Sequence, residues 1–159
     1  MPNEPRWLSA REDRAWRAFK HASYQLDVRL SRELLQDSGL TQADYEVLAV
    51  LSDPSVERMS AQDLCATLTW EKSRLSHQVR GMQKRGLIAR EPNPDDARSV
   101  VVRLLPAGRR AIEEAAPAHV EHVRQHFIDL FSPAELDTIA TLNERVLRQL
   151  ADEPSEAER

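Results

Sequence analysis

Residues 60–91 read SAQDLCATLTWEKSRLSHQVRGMQKRGLIARE, and the change of period along this stretch decides the fold. Its opening, SAQD, offers Ser60 as the cap of a short helix with Leu64, Cys65 and Leu68 on one packing face. Thr69 offers a second cap. Beyond it Leu75, Val79 and Met82 recur at spacings of four and three, an apolar stripe that predicts an amphipathic helix stopped by Gly86. After the glycine the period becomes that of a strand. LIARE (87–91) and SVVVRL (99–104) flank the turn-rich EPNPDDAR (91–98), which predicts a β-hairpin with its polar, proline-marked tip in solvent.

Working outward, Thr41 to Asp44 opens an earlier helix whose apolar face is Tyr45, Leu48 and Leu51 and which breaks at Asp53-Pro54. From Thr41 to Leu105 the order is helix, short helix, amphipathic helix, hairpin: a winged helix-turn-helix. Before it, Ser9 to Glu12 reads as a capping box, followed by Trp16, Phe19, Ser23, Leu26, Leu30 and Leu34 in a long helix ending near Gly39. After it, Pro106 starts a helix running through Glu113 toward Phe127 with an expected bend at Pro117, and Ser132-Pro133 caps a last helix. Gly39, Gly86 and Gly108 are read as helix stops or turns. The tail, ADEPSEAER, is acidic and expected to fray.

The expected fold class is therefore mainly α, a winged helix-turn-helix with a small β-hairpin wing and helices from both termini. The divisions are an N-terminal helix (1–38), a winged helix-turn-helix lobe (39–105), C-terminal helices (106–151) and an acidic tail (152–159), all in one structural unit. Leu136, Ile139, Val146 and Leu150, with Trp7 and Trp16, supply more apolar surface than a short winged lobe covers, which predicts a two-fold dimer.

Composition narrows the function. The chain has 159 residues, 41% hydrophobic and 30% charged, the size of one domain with enough apolar material for a core. No run approaches eighteen apolar residues and the first twenty contain no apolar signal core, so neither a membrane span nor secretion is expected. A single cysteine, Cys65, excludes an internal disulfide framework and fits a reducing cytoplasm. The net charge of −4 hides an asymmetry: Arg58 to Arg110 holds eleven Lys and Arg against five Asp and Glu. A basic middle between acidic ends predicts a polyanion-binding segment on a scaffold that does not itself bind polyanions.

With Leu75 at the centre of the buried face, 100° per residue places Ser73, His77, Arg80 and Lys84 opposite it, with Trp70 and Arg74 at the edge. That face carries no acid and fits a major groove, its N-terminal half toward base edges and its later basic residues toward phosphates. Arg74 and His77 are the expected base readers. On the hairpin tip, Arg98 reaches a minor groove or a phosphate, and Asp96 is read as an orienting carboxylate that holds Arg98 or a nearby base in position.

At these residues the chain resembles the MarR family of bacterial winged-helix transcription regulators. The likeness rests on residues 60–91 with their basic-Gly-Leu ending, on Asp96-Ala97-Arg98, and on VVVRLLPAGRR (100–110), and it covers about Ser9 to Leu150. The resemblance implies a DNA-binding lobe at 39–105 and an obligate homodimer, with dimerisation helices at 1–38 and 106–151, on a roughly palindromic double-stranded operator with one reading helix per half-site; the leading reading is a repressor. It further implies that Arg98 is the wing-tip arginine and that Arg74, Ser76 and His77 touch bases; many relatives carry Arg where His77 stands. It also implies release by a small aromatic or anionic effector near the first helix, where Trp16, His21 and Tyr24 are the pocket candidates.

Two other functions compete. A winged helix also serves as an adaptor that grips a protein. His119, His122 and His126, at i, i+3 and i+7, have a spacing that brings imidazoles together around zinc, as in a metal-responsive regulator. Cys65 is read as a packing residue rather than a redox sensor. No Gly-rich phosphate loop, nucleophile elbow or pair of metal-binding carboxylates is present, so neither catalysis nor a cofactor is expected.

Overall fold

In the computed structural model, which describes residues 5–152, helices begin where cap residues stand. Ser9 and Glu12 form a reciprocal capping box at the start of α1 (Ala10–Ser38), which ends on Gly39 in the left-handed conformation, φ 72°. Thr41 and Asp44 form the same box for α2 (Gln42–Leu51). Ser60 closes the two-residue strand β1 (Met59–Ser60) and caps α3 (Ala61–Leu68) through the Asp63 N–H. There follow α4 (Lys72–Lys84), β2 (Ile88–Asn93), β3 (Asp96–Leu104) and α5 (Pro106–His126), which continues through Pro117. A 3₁₀ turn (Ile128–Leu130) leads to α6 (Pro133–Asp152), opened by Ser132 and Glu135 bonded to each other's backbone N–H groups. The chain divides into two compact units between Val120 and Glu121.

In the first unit the strands form an antiparallel sheet of order β1-β3-β2, with Met59 opposite Val102 and Ile88 opposite Leu104. Leu34, Val47, Leu48, Leu51, Leu64, Ile88, Val102 and Ile112 make one core, and Leu75, Val79 and Met82 seat α4 on it. The stripe read from sequence is therefore the face that is buried, and burying each such side chain contributes about 1.5–3 kcal/mol. In the second unit none of residues 133–151 of α6 is buried; Val146, Leu147 and Leu150 are each more than half exposed.

Four expectations are corrected. Thr69 does not cap α4. It ends α3 in the left-handed conformation, φ 56°, with its N–H on the Ala66 carbonyl and the Trp70 N–H on the Cys65 carbonyl, the paired bonds of a Schellman motif. Glu71 takes the cap position of α4 without a side-chain bond. Trp70 consequently lies in the turn and not on the edge of an exposed helical face, and it is 8% exposed within the core. Gly108 does not stop a helix. It lies inside α5, where a Cβ would run into the Leu87 carbonyl oxygen and stand 2.8 Å from Leu104 Cδ1, so only glycine admits the approach of α5 to the start of the sheet. Finally, the wing hairpin gains β1 as a third strand.

Candidate nucleic-acid interface

The outer face of α4 is polar, basic and free of carboxylates. Ser73, Arg74, Ser76, His77, Arg80 and Lys84 are all exposed, as the stripe Leu75, Val79 and Met82 requires of the opposite side. The helix begins with Lys72 and Arg74 in a first turn that has no acidic residue, an arrangement that opposes its own dipole. An isolated helix gains nothing from it; a helix whose N-terminal end meets phosphates does. Arg74 is further ordered by Trp70, its guanidinium carbon 4.0 Å from the indole ring centroid.

A carboxylate at the base of α4 fixes the helix. Asp44, fully buried, accepts from Arg85 Nη1 at 2.9 Å, from Gln78 Nε2 at 2.6 Å and from the Thr41 N–H at 3.0 Å. Burial alone would raise its pKa, but the Arg85 pair and the Thr41 N–H outweigh burial and hold the carboxyl below the usual carboxylate value. The residue that opens α2 thus ties down both the middle and the end of α4. Sequence periodicity does not show this, because Asp44 and Arg85 are far apart in the chain; the one signal is Gln78, a polar residue beside an otherwise apolar stripe.

The wing is organised by its own side chains. Asn93 Oδ1 accepts from the Asp95 N–H at 3.0 Å, and Asn93 Nδ2 donates to Ser99 Oγ at 2.9 Å across the tip. Asp96 Oδ1 accepts from the Arg98 backbone N–H at 3.0 Å. Asp96 thus holds the Arg98 main chain, and the Arg98 side chain stays exposed on β3 just past the Pro94-Asp95 turn. Lower on the wing, Arg103 pairs with Glu91 at 2.6 Å. Between α3, α4 and the wing runs a cleft of about 480 Å³ whose polar wall includes Lys72, Ser73, Ser76, Arg90 and Arg98. Of the residues expected from sequence, Ser73, Ser76 and Arg98 line this cleft, joined by Lys72 and Arg90, whereas Arg74, His77, Arg80 and Lys84 are exposed on α4 outside it.

Trp16, His21 and Tyr24 lie exposed along α1. The Trp16 ring tilts toward Phe19 at 6.3 Å with Lys20 Nζ 5.7 Å above it, and His21 meets Gln25 at 3.4 Å. The cleft beside α4 includes none of the three. The zinc expectation gains no cluster: among the described residues, no group of three His, Cys, Asp or Glu side chains is placed to hold a metal ion. The His119 ring instead packs on Tyr45, centroids 4.4 Å apart, while His122 and His126 stand 6.2 Å apart. Cys65 is half-buried against the core. No described helix is long and apolar enough to cross a membrane.

Comparison with known proteins gives a consistent picture. The MarR family model matches residues 38–99. The chain is 36% identical to AbsC, a MarR family transcriptional regulator from Streptomyces coelicolor, with a TM-score of 0.89 over 94% of this chain and 100% of that one. It is 32% identical to Sco3205, a MarR family regulator of the same organism solved in complex with DNA, with a TM-score of 0.90 over 96% and 94% of the two chains. Bordetella bronchiseptica BpsR, whose DNA binding is regulated by 6-hydroxynicotinic acid, is 28% identical with a TM-score of 0.71 over 86% and 92%.

Proposed function

This chain belongs to the MarR family of DNA-binding transcriptional regulators, and on that premise we propose that it is a cytoplasmic repressor that binds a palindromic operator as a homodimer and is released by a small aromatic or anionic effector. The observation that carries the DNA-reading part is the carboxylate-free face of α4 beside an exposed wing-tip arginine. Arg74 and His77 read base edges with Ser73 and Ser76 beside them, Arg80 and Lys84 lie toward phosphates, and Arg98 enters the minor groove or meets a phosphate. An adaptor gripping an apolar partner segment has no use for such a face.

Arg98→Ala is expected to weaken binding to operator and to random DNA alike, with a shallower salt slope. Arg74→Ala is expected to cost about 1 to 3 kcal/mol on the operator and much less on random DNA. Titrating both variants against both duplexes tests the assignment. An Arg74→Ala protein with full operator preference removes Arg74 as a reader and leaves His77 and Ser76.

The homodimer is supported by apolar side chains left uncovered on segments 1–38 and 106–151, among them Trp16 and Phe19 on α1 and Val146, Leu147 and Leu150 on α6. Sedimentation at micromolar concentration should give a dimer; a stable monomer contradicts it.

For the effector, the support is the aromatic and cationic group Trp16, Lys20, His21 and Tyr24, together with the aromatic carboxylate that regulates BpsR. An effector acts by preferring a dimer whose reading helices are wrongly spaced for the operator. A panel of aromatic carboxylates and phenols should contain compounds that lower operator affinity. If the panel has no effect and zinc abolishes binding, the metal-responsive alternative replaces this one.

A further inference from the structure

We propose that Trp70 is a positioning residue for base readout, holding the Arg74 guanidinium over its ring so that its outward N–H groups are presented to a base. The proposal rests on Arg74 being a reader, as proposed above.

The indole is fixed from three sides. It is almost completely buried among the core side chains. Its backbone is held by the Schellman bonds that follow left-handed Thr69, with the Trp70 N–H 2.9 Å from the Cys65 carbonyl. It also stands immediately before the cap residue Glu71 and five residues before buried Leu75, the spacing of a hydrophobic staple that sets how a chain enters a helix. A Thr in the left-handed region is disfavoured, so the turn that drives Trp70 inward is kept against local preference.

On this fixed ring lies a mobile side chain made less mobile. Arg74 is in the first turn of α4, where a reading helix reaches base edges, and its guanidinium sits over the ring centroid at 4.0 Å. Among the described residues it is the one cation of α4 seated on an aromatic ring, and no carboxylate pairs with it. Stacking uses the face of the guanidinium; its five N–H donors lie in the plane and point outward, free for a bidentate contact. A stacked Arg has already lost rotamer freedom that a free one must lose on binding DNA. Lys72, Arg80 and Lys84 have no such support and suit phosphates, which ask only for charge. Trp70 should therefore govern discrimination between sequences and not general affinity.

The test uses the full chain, an operator fragment selected from genomic DNA by binding, and a random duplex of the same length. The ratio of the two affinities is measured for the wild type, Trp70→Phe, Trp70→Leu, Arg74→Ala and each Trp70 variant combined with Arg74→Ala. Trp70→Phe should narrow the ratio about twofold and Trp70→Leu about three- to tenfold, and neither should narrow it further once Arg74 is Ala. Trp70 variants that weaken both DNAs equally, or that act equally with and without Arg74, overturn the proposal while leaving Arg74 a reader. Arg74→Ala with an undiminished ratio overturns the reading of Arg74 and the proposal with it. Should Trp70→Leu fail to fold, Trp70→Phe carries the same cycle. In the free protein, the Arg74 δ-methylene proton signals should lie upfield of their random-coil positions because of the ring current; random-coil values in the folded wild type overturn the stack.

Discussion

Arg85→Met is expected to lower the stability of the folded chain by about 3 kcal/mol at neutral pH, the range found when one partner of a buried ion pair is removed. The cost arises at Asp44, which is fully buried, more than at Arg85, whose side chain is 45% exposed. Without the guanidinium, Asp44 keeps the Gln78 amide and the Thr41 N–H but must hold its charge out of water without a counterion. The pH dependence separates this from a packing defect. In the wild type the carboxyl is held below its usual value, so the stability from the pair is present above about pH 4 and is lost as pH falls through the lower folded value. In the variant, burial, the largest single influence on this carboxyl, is no longer opposed by the guanidinium, so its pKa is expected to rise and protonation to relieve the buried charge as pH falls. The deficit between the two proteins should be largest near pH 7 and shrink toward pH 4, and Asp44→Asn added to Arg85→Met should recover part of it. Denaturant unfolding at fixed protein concentration measures this; a deficit that does not change with pH would show that Arg85 acts through packing.

This pair also marks where sequence reading ends. Caps and periodicity are local, and for that reason Ser9, Thr41, Ser60 and Ser132 start helices where their sequence positions say they should, and the Leu75, Val79 and Met82 stripe is buried as expected. From that stripe the exposed face of α4 follows by geometry, so Ser73, Arg74, Ser76, His77, Arg80 and Lys84 were legible without coordinates. What depends on distant residues was not. Asp44 bonds to Arg85 only because α2 and α4 pack together, and Gly108 is glycine because Leu87 passes close by, neither of which has a one-dimensional signature. β1 is two residues long, too short for alternation to register. Trp70 departs for a different reason: a helical wheel continued back to Trp70 requires Thr69 as its cap, whereas the chain makes a left-handed turn at Thr69, an unusual residue for that conformation. Asp96 shows an intermediate case: its spacing from Arg98 suggests a local bond, but that the bond is to the Arg98 N–H and not the guanidinium is visible only in the structure.

That the cationic groove between α4 and the wing, with the exposed basic face of α4 beside it, is a phosphate-bound reading surface is tested most directly by the salt dependence of binding by the wild-type protein. Lys72, Arg74, Arg80, Lys84, Arg90 and Arg98 are exposed on each chain, and a dimer presents two sets. If six to ten of these meet phosphates, counterion release lowers operator affinity by about 10³- to 10⁵-fold between 50 and 200 mM salt. Random DNA should show a steep slope as well, since phosphate contacts do not depend on sequence, with the operator the tighter of the two at every salt concentration. An affinity measured across that range on both duplexes is predicted to give two steep lines with the operator line above. A nearly flat line, or two lines that coincide, would contradict it: the first makes the groove a site for an apolar protein partner, and the second leaves α4 without a base to read.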